Sequence, residues 1–222
     1  MFGVNGQIGW ELTRSLTPIG DVIALDRESC DLARPETIPD VIQPYVEDDA
    51  PAPLNAYGRS KLAGEIAIRE AGGDHLILRT SWVFAVRGPN FLRTILRLAR
   101  EGDELRIVAD QFGAPTWARN IADATAHVIR QAQCERHRGE FKSDLLHMTA
   151  AGATSWHGFA EAILDRAHDL VPSRPAVRAI ATKDFSTPAL RPRNSRLRCD
   201  RLRNRFGVAL PDWAAALTLC LA

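Results

Sequence analysis

The sequence predicts an α/β fold built on a parallel sheet, from three observations. A glycine-rich turn, Gly3-Val4-Asn5-Gly6-Gln7-Ile8-Gly9, begins almost at the first residue. A helical pattern follows it, and then a short apolar strand that ends in an acid. Further on, apolar runs of strand length alternate with helical patterns, as in sheets whose strands are joined by helices. Together these indicate a Rossmann-like, doubly wound parallel sheet, incomplete in several elements, with a small C-terminal substrate-binding lobe.

The glycine turn indicates a dinucleotide-binding unit. Its glycines let the backbone approach a pyrophosphate at the positive end of the following helix, and Asp26, at the end of the next strand, can bind the adenosine ribose. Arg27 can accept a 2′-phosphate, so NADH and NADPH both stay open. An ordinary glycine-containing loop is the alternative. Only Met1 and Phe2 stand before the turn, where a hydrophobic strand is expected.

The remaining elements follow in order after a short helix near residues 35–38, the start of a strand at 40–42 and a proline-rich loop at 44–53. Helices are predicted for residues 56–70, 90–100 and 118–133, from the Thr154-Ser155 cap to His168, and after Pro211-Asp212-Trp213; strands are predicted for 75–84, 105–109, 145–149 and 177–180. We place a domain boundary after residue 110. Residues 1–110 form the NAD(P)-binding domain, and 111–222 form mainly the substrate-binding lobe, with some helices returning to the first domain.

Tyr57 and Lys61 are the candidate catalytic residues. In a helix that begins near Ala56 they lie at i and i+4, on one face and one turn apart. A fixed ammonium favours the ionised form of a neighbouring phenol. Such a phenol suits the task of protonating a carbonyl during its reduction. An exposed helix that carries an ordinary Tyr and an ordinary Lys is the alternative.

Composition excludes several classes of protein. A formal net charge of +1 gives no basic field, so nucleic acid is not an expected partner. The arginines concentrate from Arg191 to Arg205, which indicates either a phosphate-binding surface or a solvated helical face. The four cysteines are far apart and form no Cys-x-x-Cys motif, so we expect neither a metal site nor a disulfide framework. With no apolar run long enough for a membrane and no signal peptide, we expect a cytoplasmic protein.

A set of segments spread over almost the whole chain carries a resemblance to known proteins. They are Phe2–Leu12, Pro53–Lys61 with Gly64-Glu65, Arg79–Val83, Asn90-Phe91, Asp110–Thr116, Thr154–Trp156 with Phe159-Ala160, Ala189–Ser195 and Pro211–Trp213. In this order they resemble the extended short-chain dehydrogenase/reductases, and among them the reductases of dTDP-linked 4-keto sugars. The resemblance implies an oxidoreductase that reduces the C4 keto group of dTDP-4-dehydro-L-rhamnose to dTDP-L-rhamnose, in nucleotide-sugar and cell-surface polysaccharide synthesis.

The resemblance also implies roles for individual residues. The cofactor-binding residues are Gly3, Gly6, Gln7, Ile8 and Gly9 at the pyrophosphate, Asp26 and Arg27 at the adenosine ribose, and Asp31 and Leu32 on the adenine side. Tyr57 would protonate the C4 oxygen as the nicotinamide delivers hydride, and Lys61 would hold the nicotinamide ribose. The resemblance leaves open whether a Mg²⁺ ion binds and whether the chain forms a homodimer. The acidic residues show no metal-ligand spacing.

Trp82, Arg191 and Asn194 are the implied substrate-binding residues. Trp82 would line the sugar-nucleotide pocket, and the turn from Arg191 to Ser195 would form part of the substrate lobe. Core packing at the end of a buried strand is the alternative for Trp82. For Arg191 and Arg193 the alternative is an exposed turn.

The chain departs from the family pattern at one functional position. Family members carry a Ser or Thr on a strand before the tyrosine, but between Asp26 and Tyr57 the only hydroxyl side chains besides Tyr45 are Ser29 and Thr37, in another context. We interpret this as a missing internal block of several strands and a helix. Either the complete protein contains that block, or the chain is a catalytically impaired or inactive relative that binds nucleotide or associates with an intact reductase.

Overall fold

The computed structural model describes residues 43–185 and 191–222. The chain divides into two compact units, Met1–Gln43 and Pro44–Ala222, and the fold below is that of the second. All predicted cofactor-binding residues, from Gly3 to Leu32, lie outside the described residues, as do the elements predicted near residues 35–42. The domain boundary predicted after residue 110 stays a prediction.

The second unit alternates helices with short strands. The helices are α1 (Ala56–Glu70), α2 (Phe91–Glu101), α3 (Ala118–His137), α4 (Trp156–Arg166), α5 (Asp200–Phe206) and α6 (Trp213–Leu221), with a 3₁₀ turn at Thr182–Asp184. The strands are β1 (Leu76–Arg79), β2 (Val83–Phe84), β3 (Glu104–Val108), β4 (Phe112–Gly113), β5 (Thr116–Trp117), β6 (Asp144–His147), β7 (Thr154–Ser155) and β8 (Ala176–Ile180).

The strands pair two by two in the described part of the chain. β1 pairs with β6, β2 with β5 and β3 with β8, all parallel, whereas β4 and β7 are antiparallel. The α/β class and the parallel pairing predicted from the sequence are thereby confirmed. Parallel partners far apart in sequence require helical crossovers, and α2, α3 and α4 lie between the paired strands along the chain.

One predicted element is divided in two. The single strand expected over residues 75–84 is broken into β1 and β2 because Trp82 adopts a left-handed backbone with φ of 50°. That conformation cannot continue a strand. The short helix α5 forms within the arginine-rich segment, for which a helical face was one of two alternatives. It ends at Gly207, which is also left-handed with φ of 64°, the usual helix terminator.

The arginines of that segment form ion pairs with carboxylates distant in sequence. Arg205 Nη2 lies 2.7 Å from Glu135 Oε2, and its Nη1 lies 3.2 Å from Asp144 Oδ2. Arg201 pairs with Asp144 and, at 2.6 Å, with Asp48. The hydrogen bond to Glu135 raises the pKa of Arg205 above its ordinary value. Arg201 and Arg205 therefore lie on a helix, as one alternative had it, but they also hold α5 to α3 and β6 through ion pairs.

Two hydrophobic clusters form the core. The first joins α2, α4 and α6 around Phe159, which is fully buried and whose ring centroid lies 5.3 Å from that of Phe84. The second joins α3, β6 and α5 around Val128, Leu146 and Leu202, all with no exposed surface. The chain leaves the second cluster in β1 and enters the first in β2, so residues 80–82 connect them.

Replacing Phe159 with alanine should lower the free energy of unfolding by about 3–5 kcal/mol, the usual cost of emptying such a site. Urea denaturation of the purified protein measures it. Leu219→Ala is the matched control, because Leu219 is 65% exposed on α6 and its truncation should change the midpoint little. Equal midpoint shifts in the two variants would contradict the placement of Phe159 at the centre of the first cluster.

Candidate active site

Helix α1 begins where the sequence predicts. The side chain of Asn55 caps it, its Oδ1 accepting a hydrogen bond from the Gly58 amide at 2.8 Å, as polar caps commonly do. Pro53 packs beside Gly58, where an added Cβ would lie 3.0 Å from the Pro53 Cβ. Gly64 has nothing within 4 Å of its Cβ position among the described residues.

Tyr57 and Lys61 lie one turn apart on α1. The Lys61 Nζ is 5.2 Å from the centroid of the Tyr57 ring, within the range of a cation–π contact. Tyr57 is 70% exposed. The structure therefore brings the predicted catalytic pair together at an accessible surface of the second unit.

A cavity of about 500 Å³ opens beside Tyr57. Its lining combines a phenol, two indoles, one cation and several small polar groups: Asn55, Ala56, Tyr57, Trp82, Gln111, Trp156, Arg191, Pro192 and Ser195. This composition, apolar faces with a few convergent polar groups, is typical of a small-molecule site. Tyr57, Trp82 and Arg191 were predicted from the sequence. The others were not named individually, although Pro192 and Ser195 lie in the turn expected to form part of the substrate lobe and the rest belong to segments that carry the family resemblance.

The indole of Trp82 stacks on that of Trp156, with ring centroids 3.5 Å apart and planes 6° from parallel. The stack is possible because of Gly113 behind it, where an added Cβ would lie 2.4 Å from Trp82 Cε2. A left-handed backbone is uncommon for a residue as large as tryptophan. Its occurrence here indicates that tertiary contacts hold Trp82 in place.

Gln111 reaches the cavity from the turn after β3. Asp110 Oδ1 accepts hydrogen bonds from the Thr182 amide at 2.8 Å and from the Thr182 hydroxyl at 2.6 Å. Gln111 Nε2 in turn donates to the Thr182 hydroxyl at 3.1 Å. Because all three bonds converge on Thr182, the end of β3 is tied to the 3₁₀ turn after β8 and the Gln111 amide has a defined position.

Arg191 and Asn194 differ in placement. Arg191 is exposed at the cavity and has no ion-pair partner among the described residues. Asn194 is 8% exposed and is not part of the cavity lining. Its Oδ1 accepts hydrogen bonds from the amide and the Nε of Arg196, both at 3.1 Å. This bonding supports the turn, and a substrate-binding role for Asn194 stays a prediction.

The carboxyl ends of β1 and β6 carry a pair of charged or titratable side chains, Arg79 and His147, which are partners in the strand register. His147 is 1% exposed; its Nδ1 donates to the Arg198 carbonyl at 3.2 Å, while its buried Nε2 has no partner in the described part of the chain. Burial lowers the pKa of His147 below its ordinary value, and Arg79 adds to the lowering against the opposing effect of Glu47.

The described residues contain neither a metal-ligand cluster nor a membrane-spanning helix. No group of three or more His, Cys, Asp or Glu side chains within 43–185 and 191–222 is arranged to hold a metal ion. No helix described by the structure is long and apolar enough to cross a membrane.

Together, the parallel strand pairs and the Tyr-Lys pair at a cavity define the class of protein: a short-chain dehydrogenase/reductase of the extended type. Residues 39–222 match the family model described as the RmlD substrate binding domain. The dTDP-4-dehydrorhamnose reductase of Burkholderia thailandensis is 43% identical over 286 aligned positions, which cover 99% of this chain and 96% of the relative. The chain belongs to the dTDP-4-dehydrorhamnose reductase family.

Further comparisons agree with this assignment. The reductase of Escherichia coli K12 is 36% identical over 282 positions, covering 96% of this chain and 93% of that protein. The crystal structure of dTDP-4-dehydrorhamnose reductase from Bacillus anthracis in complex with NADP superposes with a TM-score of 0.70 at 24% identity. It covers 99% of this chain and 96% of that one, and at this identity it supports the fold alone.

The alignments also bear on the missing block. The alignment with the Burkholderia protein has 286 positions against the 222 residues of this chain, so at least 64 positions have no residue here. The alignment with the Escherichia coli protein is similarly longer than the chain. These gaps agree with the interpretation that an internal block is missing from the sequence.

Gly113→Ala should force the Trp82 indole off Trp156 and lower the free energy of unfolding by about 1–3 kcal/mol, the usual cost of overpacking. Tryptophan fluorescence and urea denaturation measure the two effects. Gly102→Ala is the control, because nothing lies within 4 Å of its Cβ position. If Gly113→Ala behaves like Gly102→Ala, the close approach of Gly113 to Trp82 is not a real constraint.

Acid should destabilise the protein through His147. Its pKa is lowered in the folded state, so below about pH 6.5 the unfolded chain binds a proton that the folded chain resists. The stabilising contribution is therefore present above pH 6.5 and is lost as the pH falls. Denaturation curves from pH 5 to 8 should be less steep in pH for His147→Gln than for the unchanged protein. Parallel pH dependences would refute this assignment.

Proposed function

We propose that the chain reduces the C4 keto group of dTDP-4-dehydro-L-rhamnose to dTDP-L-rhamnose with NADPH or NADH. The observation that carries the proposal is the placement of Tyr57 and Lys61, one turn apart on α1, at a cavity with two indoles and Arg191. Relatives with high coverage are named for this reaction. The function predicted from the sequence and the family assignment therefore agree.

The described residues Tyr57 and Lys61 suit a nicotinamide ribose. The Lys61 ammonium and the Tyr57 hydroxyl can both donate hydrogen bonds to ribose or carbonyl oxygens. The residues predicted for the pyrophosphate (3–9), for the adenosine ribose (26 and 27) and for the adenine (31 and 32) lie outside the described residues. A reduced nicotinamide, when bound, supplies the hydride that adds to C4.

Tyr57 completes the reduction by giving its phenolic proton to the C4 oxygen, so that ketone, hydride and proton together make one secondary alcohol. Lys61, whose Nζ lies 5.2 Å from the centroid of the Tyr57 ring, holds the nicotinamide ribose in this proposal. Because Tyr57 is 70% exposed, solvent can return the proton directly after each turnover. No internal relay of titratable side chains is required.

The rest of the cavity suits the nucleotide-sugar. The Arg191 guanidinium can bind a diphosphate through paired N–H donors. The stacked indoles of Trp82 and Trp156 offer a flat apolar surface with polar edges, which suits a sugar or a base. Gln111 and Ser195 add hydrogen-bonding groups at the same wall. Asn194 contributes indirectly in this proposal, by holding the turn that presents Arg191.

A second candidate function follows from the absent hydroxyl and the alignment gaps. An inactive relative that binds nucleotide, or that associates with an intact reductase, would keep the fold and the cavity without turnover. The gaps of at least 64 positions against the Burkholderia protein favour it. Loss of one hydrogen-bond donor to a reacting oxygen typically lowers the rate about 10²–10³-fold. A reductase without the hydroxyl would therefore keep a reduced activity, whereas an inactive relative would have none.

NADPH oxidation with dTDP-4-dehydro-L-rhamnose distinguishes the candidates. We expect turnover about 10²–10³-fold below that of a family member with the hydroxyl, and its loss in Tyr57→Phe, since the proton donor is removed. Ser60→Ala is the control, because its hydroxyl bonds only the Tyr57 carbonyl at 2.8 Å among the described residues. Absence of turnover in the unchanged protein would support the inactive relative, and full activity in Tyr57→Phe would refute the assigned proton donor.

We also propose a cytoplasmic location and a homodimer. The location is supported by the free thiols of Cys134, Cys199 and Cys220, which fit a reducing compartment. The homodimer is supported by the family resemblance and by apolar side chains exposed on α1, among them Ile66 and Ile68. The Mg²⁺ ion left open by the resemblance finds no supporting ligand cluster in the described part of the chain.

A further inference from the structure

Two side chains with no role in the proposed reaction meet in the structure. Glu65 lies on α1, and Arg79 ends β1. Arg79 Nε donates to Glu65 Oε1 at 2.8 Å, and its Nη2 donates to Glu65 Oε2 at 2.6 Å. The pair is bidentate, the arrangement with the most specific geometry. The hydrogen bond to Glu65 raises the pKa of Arg79 above its ordinary value.

The pair lies on the same helix face as the candidate catalytic residues. Glu65 follows Lys61 by four residues and Tyr57 by eight, and residues at this spacing line one side of a helix. Arg79 is fixed in turn, because β1 pairs with β6 along its whole length and Arg79 is the register partner of His147. The carboxylate therefore connects the face that carries Tyr57 and Lys61 to a paired strand.

Among the described residues, few other contacts define the orientation of helix α1. None of its 15 residues is buried, so no apolar side chain is fully enclosed against the described fold. Glu65 is the exception among its charged residues, with a side chain only 14% exposed, and Arg79 is 24% exposed. Exposed ion pairs contribute little to structure, but a bidentate and mostly enclosed pair is geometrically selective.

We propose that Glu65 is a positioning residue for the reductase reaction. Acting through Arg79, it sets the rotation of α1 about its axis and so aims Tyr57 and Lys61 at the cavity. Glu65 does not touch substrate or cofactor in this proposal. The inference rests on the proposed function, since it assigns Glu65 a role in the activity of the same site.

The test substitutes Glu65→Gln, which keeps the size of the side chain and removes its charge. The chain has two tyrosines, so ¹³C-labelled tyrosine gives two ring signals, and Tyr57→Phe assigns one of them to Tyr57. We expect the Tyr57 signal to shift or broaden in Glu65→Gln. In the NADPH assay we expect kcat to fall about 10- to 100-fold, the usual cost of a misplaced reacting group, while KM changes less than about twofold.

Two further variants separate positioning from general damage. Glu101→Gln removes the same charge from an exposed pair with Arg97, where the contact is 2.6 Å and the side chains are 60% and 54% exposed. It should change neither the Tyr57 signal nor kcat. The exchanged pair Glu65→Arg with Arg79→Glu should restore both, because it rebuilds the ion pair with its ends reversed.

Each outcome decides the inference. A Tyr57 signal unaffected by Glu65→Gln overturns it, whether or not the protein is active, and so does a shifted signal with unchanged kcat. Failure of the exchanged pair to restore the signal also overturns it, since the ion pair would then not be the cause. If the unchanged protein shows no turnover, the proposed function fails, and the Tyr57 signal in the three variants still decides whether Glu65 positions the tyrosine.

Discussion

The left-handed backbone of Trp82 is the constraint on which the rest of the described fold depends. It ends β1 and lets the chain turn into β2, so that one run of apolar residues contributes to both hydrophobic clusters. The same turn places the indole against Trp156 of α4. In a regular strand, the Trp82 side chain would point to the sheet face set by the alternation of successive side chains. The cavity wall beside Tyr57 is therefore a product of the break between the strands.

Much of the described fold and of the candidate site could be predicted from local sequence patterns. The start of α1 after Asn55, the shared face of Tyr57 and Lys61, and the amphipathic α2 follow from capping and helical periodicity. The break at Trp82 could not, because its apolar neighbours read as one strand and the deciding contact comes from Trp156, 74 residues further on. Tertiary packing overrode local preference.

The arginine-rich segment shows that ion pairs between distant residues are also not predictable from local sequence. Composition predicts exposure or phosphate binding for such a cluster, but it does not show which carboxylates fold next to it. Glu135 and Asp144 are separated from Arg205 by 70 and 61 residues. Arg191, at the start of the segment, lines the cavity, whereas Arg201 and Arg205 form ion pairs. The Oδ1 of Asn194 accepts a hydrogen bond from the amide of Arg196 within the same segment.

Gly113 ties the size of one residue to that of another 31 positions away in sequence. Any side chain at residue 113 would enter the space of the Trp82 ring, with the first added atom already 2.4 Å from Cε2. A larger residue 113 therefore fits without overpacking only beside a smaller residue 82. Redesigning this wall of the cavity means choosing residues 82 and 113 as a pair.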